Sequence, residues 1–304
     1  MADQNMTRIK TISEFHRNRG LPPPMHPLIS VVDFSDVEQE DTNEKSWVFD
    51  FYQISLKRGM DFQMKYGHQQ YDFDEGVMLF IAPNQVLRIL PEPNATEKKS
   101  GYILLVHPDL LWNTPLAKGI KQYDFFNYTV NEALFLSDKE EKIITGIVDN
   151  IRNEYHTNID KFSERIIISH IESLLNYADR FYERQFITRK IGNHKIINQL
   201  DELLNRYFEN DLSNTGLPSV QFVADSLSVS PNYLSHLLKS LSGQSTQQLI
   251  HDKLIEKAKE KLTITDLSVS EIAYQLGFEH PQSFTKLFKK KTNQSPSEFR
   301  QLFH

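Results

Sequence analysis

Between residues 28 and 107 the apolar positions fall in short runs, at 28–34, 47–56, 62–66, 77–82, 86–90 and 102–106, each rich in Val, Ile, Phe or Tyr. Turn-forming clusters such as Lys57-Arg58-Gly59 and Pro83-Asn84 separate them. Many short strands at this spacing predict a β-barrel or double-sheet jelly roll, a shape that can enclose a small ligand. After residue 137 the period lengthens. Ile143, Ile144, Ile147, Val148 and Ile151 mark a helix over 138–155, and Ile166, Ile167, Ile171, Leu174, Leu175 and Ala178 mark another over 162–181. Their short connection predicts antiparallel packing. Residues 1–27, polar and then Pro-rich at Pro22-Pro23-Pro24, read as an irregular arm, and the polar stretch 186–194 reads as a linker.

From residue 195 onward the pattern is helical throughout. A first helix runs through Ile197, Leu200, Leu203, Leu204 and Phe208 to a stop at Asn210-Asp211. Over 268–300, Ser268 and Glu271 form a capping box that opens a helix carrying Val269, Ile272, Ala273 and Leu276 on one face. Gly277 then supplies a left-handed cap, and Pro281 starts a second helix with Phe284, Leu287 and Phe288 on its apolar side. Short helix, tight turn and polar second helix together predict a helix-turn-helix.

The same pattern occurs earlier. Val220, Val223, Ala224 and Leu227 stand 49 residues before Val269, Ile272, Ala273 and Leu276, while Pro231, Leu234, Leu238 and Lys239 stand 50 before Pro281, Phe284, Phe288 and Lys289. Two such units are therefore predicted, joined by a helix over 246–262 with Leu249, Ile250, Leu254, Ala258 and Leu262 on one face. At 1.5 Å per residue that helix is roughly 24 Å long, a spacer suited to holding two recognition helices about one DNA turn apart.

The formal net charge of −6 in 304 residues argues against nucleic acid only until it is divided along the chain. Residues 195–304 hold 12 basic and 12 acidic side chains, so the negative excess lies before them. Within the last twenty residues Lys286, Lys289, Lys290, Lys291 and Arg300 stand against Glu298 alone. Local concentration is what phosphate contact requires. With no cysteine, no secretory leader pattern and no apolar run of membrane-spanning length, a cytoplasmic protein is expected, with no membrane partner.

The stretches SVSEIAYQLGF, PQSFTKLFKKKTNQSPSEFR, SVQFVADSLSVSPNYLSHLLKSLSG and LIHDKLIEKAKEKL closely resemble the DNA-binding domain of the AraC/XylS family of bacterial transcription regulators, over roughly the last 110 residues. The N-terminal part is similar in outline to that family's cupin-like effector domain and helical dimerisation segment. The implied fold is α+β. Residues 1–185 would form a cupin-like barrel (jelly roll) with its dimerisation helices, 186–194 a linker, and 195–304 an all-α domain with two helix-turn-helix units. The resemblance implies double-stranded DNA as partner, a homodimer, a small-molecule effector and access to RNA polymerase. It implies no cofactor and no enzymatic activity. Family geometry places Asn232, Ser235 and His236 of the first unit, and Gln282, Ser283 and Lys286 of the second, at base edges. Independently, the helical period puts Asn232 with His236, and Gln282 with Lys286, opposite the buried positions. Gln suits adenine and Lys suits guanine, whereas Lys239, Lys289 and Lys290 are placed for phosphate.

Two other readings are weighed against this one. A metal-binding cupin enzyme would need ligands such as His68, His107, Asp72 and Glu75, but the paired His-x-His spacing is missing, and no phosphate loop or nucleophile elbow occurs. A protein-interaction module would leave unexplained the polar, basic face on both second helices.

Overall fold

In the computed structural model, which describes residues 6–37, 45–58, 76–89, 100–128, 132–156, 160–188, 190–210, 212–213 and 215–302, the polar start of the chain is not an irregular arm. Residues Met6–Ile9 form strand β1, and Ile12–Asn18 form helix α1, whose first turn is capped by the Thr11 hydroxyl accepting from the Glu14 N–H. Sparse apolar residues anchor both elements. Ile9, Ile12 and Phe15 are almost completely buried, and the Arg8 guanidinium reaches Asp50 at 2.8 Å and Asn84 at 2.7 Å. His16, also buried, bridges α1 to the next strand through the Pro22 carbonyl and the Ser30 hydroxyl.

The strands that follow are β2 (Ile29–Asp33), β3 (Lys45–Phe49), β4 (Tyr52–Arg58), β5 (Val77–Ile81), β6 (Val86–Ile89) and β7 (Ser100–Val106). After the four-residue helix α2 (Leu116–Gly119) comes β8 (Leu134–Phe135). The single run predicted over 47–56 is broken into β3 and β4 at Asp50-Phe51, so these two strands enter different sheets. One sheet has the order β1-β3-β6, with β1 parallel to β3, and the other the order β2-β7-β4-β5-β8, antiparallel throughout. Phe15, Val32, Trp47, Phe49, Phe51, Ile81, Ile103 and Leu105 form one core shared by both sheets. Burying each such side chain contributes about 1.5–3 kcal/mol, which is why β5 and the end of β7 read as unbroken apolar runs. The strand predicted over 62–66 lies outside the described residues.

Helix α3 (Asp138–His156) and helix α4 (Ser163–Thr188) form the expected antiparallel pair: Glu140 at the start of α3 accepts from Arg184 near the end of α4 at 2.6 Å. Helix α3 is also tied to the five-stranded sheet. The Tyr155 hydroxyl accepts from the Val31 N–H at 2.8 Å, Arg152 pairs with Asp33, and Glu141 accepts from the Gly76 N–H at 3.1 Å.

Residues 1–188 form one compact unit and 189–304 a second. The second contains α5 (Lys190–Glu209), α6 (Val220–Ser226), α7 (Pro231–Ser242), α8 (Thr246–Ile264), α9 (Val269–Gln275), α10 (Pro281–Thr292) and α11 (Pro296–Arg300). Helix α5 begins five residues earlier than the sequence pattern predicts, because Gly192 is accommodated within the helix at a cost of only about 1 kcal/mol relative to Ala. Overall the chain is mixed α+β, with sheets in the N-terminal unit and helices alone among the described residues of the C-terminal one. No helix of the described residues is long and apolar enough to cross a membrane.

Candidate nucleic-acid interface

Local hydrogen bonds define where α9 and α10 begin and turn. The Ser268 hydroxyl accepts from the Glu271 N–H at 3.2 Å, while the Glu271 carboxylate accepts from the Ser268 N–H at 2.7 Å. The Ser268 hydroxyl and N–H beside its carboxylate hold Glu271 below the usual carboxylate range, and the Ser295 N–H and hydroxyl do the same for Glu298 at the start of α11. A depressed carboxylate stabilises the fold above its ordinary pKa, and that contribution is lost as pH falls through the lowered value. After α9 the chain reverses at Gly277, φ +85°, letting the Phe278 N–H return to the Ala273 carbonyl at 3.0 Å.

The Gly277 position is doubly restricted. A Cβ there would lie 2.8 Å from the Gly216 carbonyl carbon, in addition to the left-handed strain. Gly277→Ala should therefore destabilise the C-terminal unit by at least about 1 kcal/mol, read as a lower midpoint in urea unfolding; an unchanged midpoint would contradict it.

The turn between α6 and α7 repeats this geometry with a different residue. Ser228, not glycine, takes the left-handed conformation at φ 57°, and the Val229 N–H bonds to the Ala224 carbonyl at 3.1 Å. Ser219 caps α6 and Ser230 caps α7, whereas His280 gives α10 no side-chain cap. The left-handed ends of α7 and α10 fall at Gly243 and Asn293, as their residue types predict.

Beneath α10 the rings of Phe278, Phe284, Phe288 and Phe299 pack in succession, with centroids 5.5 to 5.7 Å apart. This packing fixes the helix's rotation about its axis. Gln282, Ser283, Lys286, Lys289 and Lys290 consequently all lie exposed on the opposite side. The first pair is more closed. Lys239 is exposed, but Asn232, Ser235 and His236 are only half-exposed, and the Ser235 hydroxyl is 3.1 Å from that of Thr246, at the start of α8.

Two basic residues of the last twenty turn inward, which their sequence neighbourhood does not reveal. Lys291 donates to the Asp252 carboxylate at 2.6 Å. Arg300 donates to the carbonyls of Leu262 at 3.3 Å and Leu267 at 2.5 Å, closing the C-terminal end of α8. Nearby, burial and then Lys291 hold His251 below the ordinary histidine value. In the N-terminal unit, His107 caps a turn by accepting from the Asp109 N–H at 3.3 Å. The other considered metal ligands, His68, Asp72 and Glu75, lie outside the described residues. Among the described residues no His, Asp and Glu cluster could hold a metal ion.

Comparison with known proteins bears on this helical unit. Residues 223–302 match a family model described as a helix-turn-helix domain. The C-terminal domain of AraT, a response regulator from Geobacillus stearothermophilus, is 32% identical, with 35% of this chain and 84% of that one covered and a TM-score of 0.32. Residues 223–302 are thus a helix-turn-helix domain of the AraC type. Among other relatives, the uncharacterized HTH-type transcriptional regulator YijO of Escherichia coli (strain K12) is 39% identical over 82 residues, 27% of this chain and 29% of YijO. An uncharacterized HTH-type transcriptional regulator of Staphylococcus aureus (strain MRSA252) is 25% identical over 246 residues, 74% of this chain. The chain spans only 31% of that relative's length. The residues matched by the family model run from within α6 to just beyond α11.

Proposed function

We propose that this chain is a sequence-specific DNA-binding transcription regulator in which α6–α7 and α9–α10 are both helix-turn-helix units. Helices α7 and α10 would enter adjacent major grooves, with Gln282, Ser283 and Lys286 reading bases more strongly than Asn232, Ser235 and His236. Lys239, Lys289 and Lys290 would hold phosphate. The observation that carries this reading is the exposed row Gln282, Ser283, Lys286, Lys289 and Lys290, set opposite the buried Phe284 and Phe288. Residues 1–185 would be the cupin-like regulatory part, answering to a small-molecule effector, with α3 and α4 pairing two copies and 186–194 linking to the reader. This part of the reading rests on the family's organisation.

Duplex binding measured over a range of salt tests the proposal. Lys290→Ala should weaken binding to every sequence alike and make affinity less dependent on salt. A change confined to base preference would reassign Lys290 to base contact. Absence of salt-sensitive, sequence-selective binding by the intact chain would overturn the regulator reading itself.

A further inference from the structure

We propose that Asp252 is a positioning residue that sets the separation between the two recognition helices, and through it the half-site spacing the chain accepts. The inference rests on the reading of α7 and α10 as recognition helices. Asp252 lies on α8, the helix between the two pairs. One of its carboxylate oxygens, Oδ1, accepts from Lys291 Nζ at 2.6 Å, and the other, Oδ2, accepts from Gln244 Nε2 at 2.9 Å. Gln244 directly follows Gly243, the left-handed residue that ends α7, and Lys291 belongs to the last turn of α10. A single carboxylate thus joins the C-terminal ends of both helices.

The duplication does not account for this group. Fifty residues before Lys291 stands Leu241, exposed and apolar, and fifty after Asp252 stands Leu302, also exposed. The arrangement belongs to the junction alone. Nor is stability a sufficient reason for it: with the Lys291 and Asp252 side chains 27% and 39% exposed, such a pair contributes little. What two bonds on one short side chain do supply is geometric restraint. Other polar bonds from α8 to its neighbours act elsewhere. Ser235–Thr246 joins the middle of α7 to the start of α8, Lys261–Gln275 and Arg300 hold the second pair at its far end, and Lys253–Asp201 holds α5. Lengthening the half-site spacing by one base pair moves the second groove by about 3.4 Å and turns it by about 34°. Loss of the Asp252 bonds would let the two pairs follow that displacement more readily.

The test selects bound duplexes from a random-sequence library, using the intact chain and its Asp252→Ala, Gln244→Ala and Lys291→Met variants, and reads the distribution of half-site separations. The intact chain should enrich two half-motifs at one separation. Asp252→Ala should retain both motifs but reduce the preference for that separation over one base pair longer by about threefold or more. Gln244→Ala and Lys291→Met, each breaking one bond, should broaden the distribution less, and they decide the matter if Asp252→Ala fails the thermal-unfolding check for a folded chain. A distribution unchanged in the folded variants would overturn the proposal. So would a uniform gain in affinity, the result expected if Asp252 only neutralises Lys291. Enrichment of a single half-motif by the intact chain would remove the two-reader reading, and this proposal with it.

Discussion

Phe284→Ala should destabilise the C-terminal unit by about 3–5 kcal/mol, the cost of emptying a site whose ring is completely buried between Phe278 and Phe288. Against a typical domain stability of about 5–15 kcal/mol, this is a large fraction of the total, and at the low end of that range it leaves a substantial unfolded population. Urea unfolding of the intact chain, followed by far-ultraviolet circular dichroism, provides the measurement. The exposed Phe222 is the internal comparison, because its truncation removes a ring already 42% in solvent and should cost much less. A loss below about 1 kcal/mol for Phe284 would mean that the aromatic row does not set the rotation of α10, since cavity formation alone should exceed that value.

Gln282→Ala and Lys286→Ala should each relax base preference at one position, at a cost of about 1–3 kcal/mol for each lost bidentate contact. Both side chains are exposed one turn apart on α10, above a rigid aromatic base. The expected signature is a flattened ratio between the preferred duplex and its single-base variants, with weak sequences bound almost as before. Asn232→Ala should have a smaller effect, because that residue is half-covered. Equal losses on all sequences would move Gln282 and Lys286 from base reading to phosphate contact.

The distance over which a feature is decided determines how far it can be read from the residues. The capping box at Ser268 and Glu271 is local, and the structure places it as the sequence predicts; the left-handed caps at Gly243 and Asn293 are local too, at residue types that tolerate that conformation. Ser228 carries no comparable mark, since serine rarely adopts a left-handed conformation and the fold imposes it. Helix α1 and strand β1 escaped prediction because few apolar residues carry them. Their partners in β3 lie about forty positions away, beyond the reach of any periodic pattern. The break at Asp50-Phe51 is hidden for a related reason, as apolar residues continue across it while the chain changes sheets. In the candidate interface, helical period identifies the outer face of α7 but not the approach of Thr246, eleven residues on, to Ser235. A run of three lysines likewise does not say which turns back; Asp252, 39 residues earlier, selects Lys291.

The Lys291 bond to Asp252, together with the Arg300 bonds to Leu262 and Leu267, bears on the ions that binding of DNA, as proposed, would displace. Composition offers five cations in the last twenty residues; Lys286, Lys289 and Lys290 are exposed, whereas Lys291 is engaged by Asp252 and Arg300 by the Leu262 and Leu267 carbonyls. On the proposed reading, at about 0.9 counterion per neutralised phosphate, these three lysines would release about three ions rather than four or five. The rest of the positive charge there holds the helices of the C-terminal unit together.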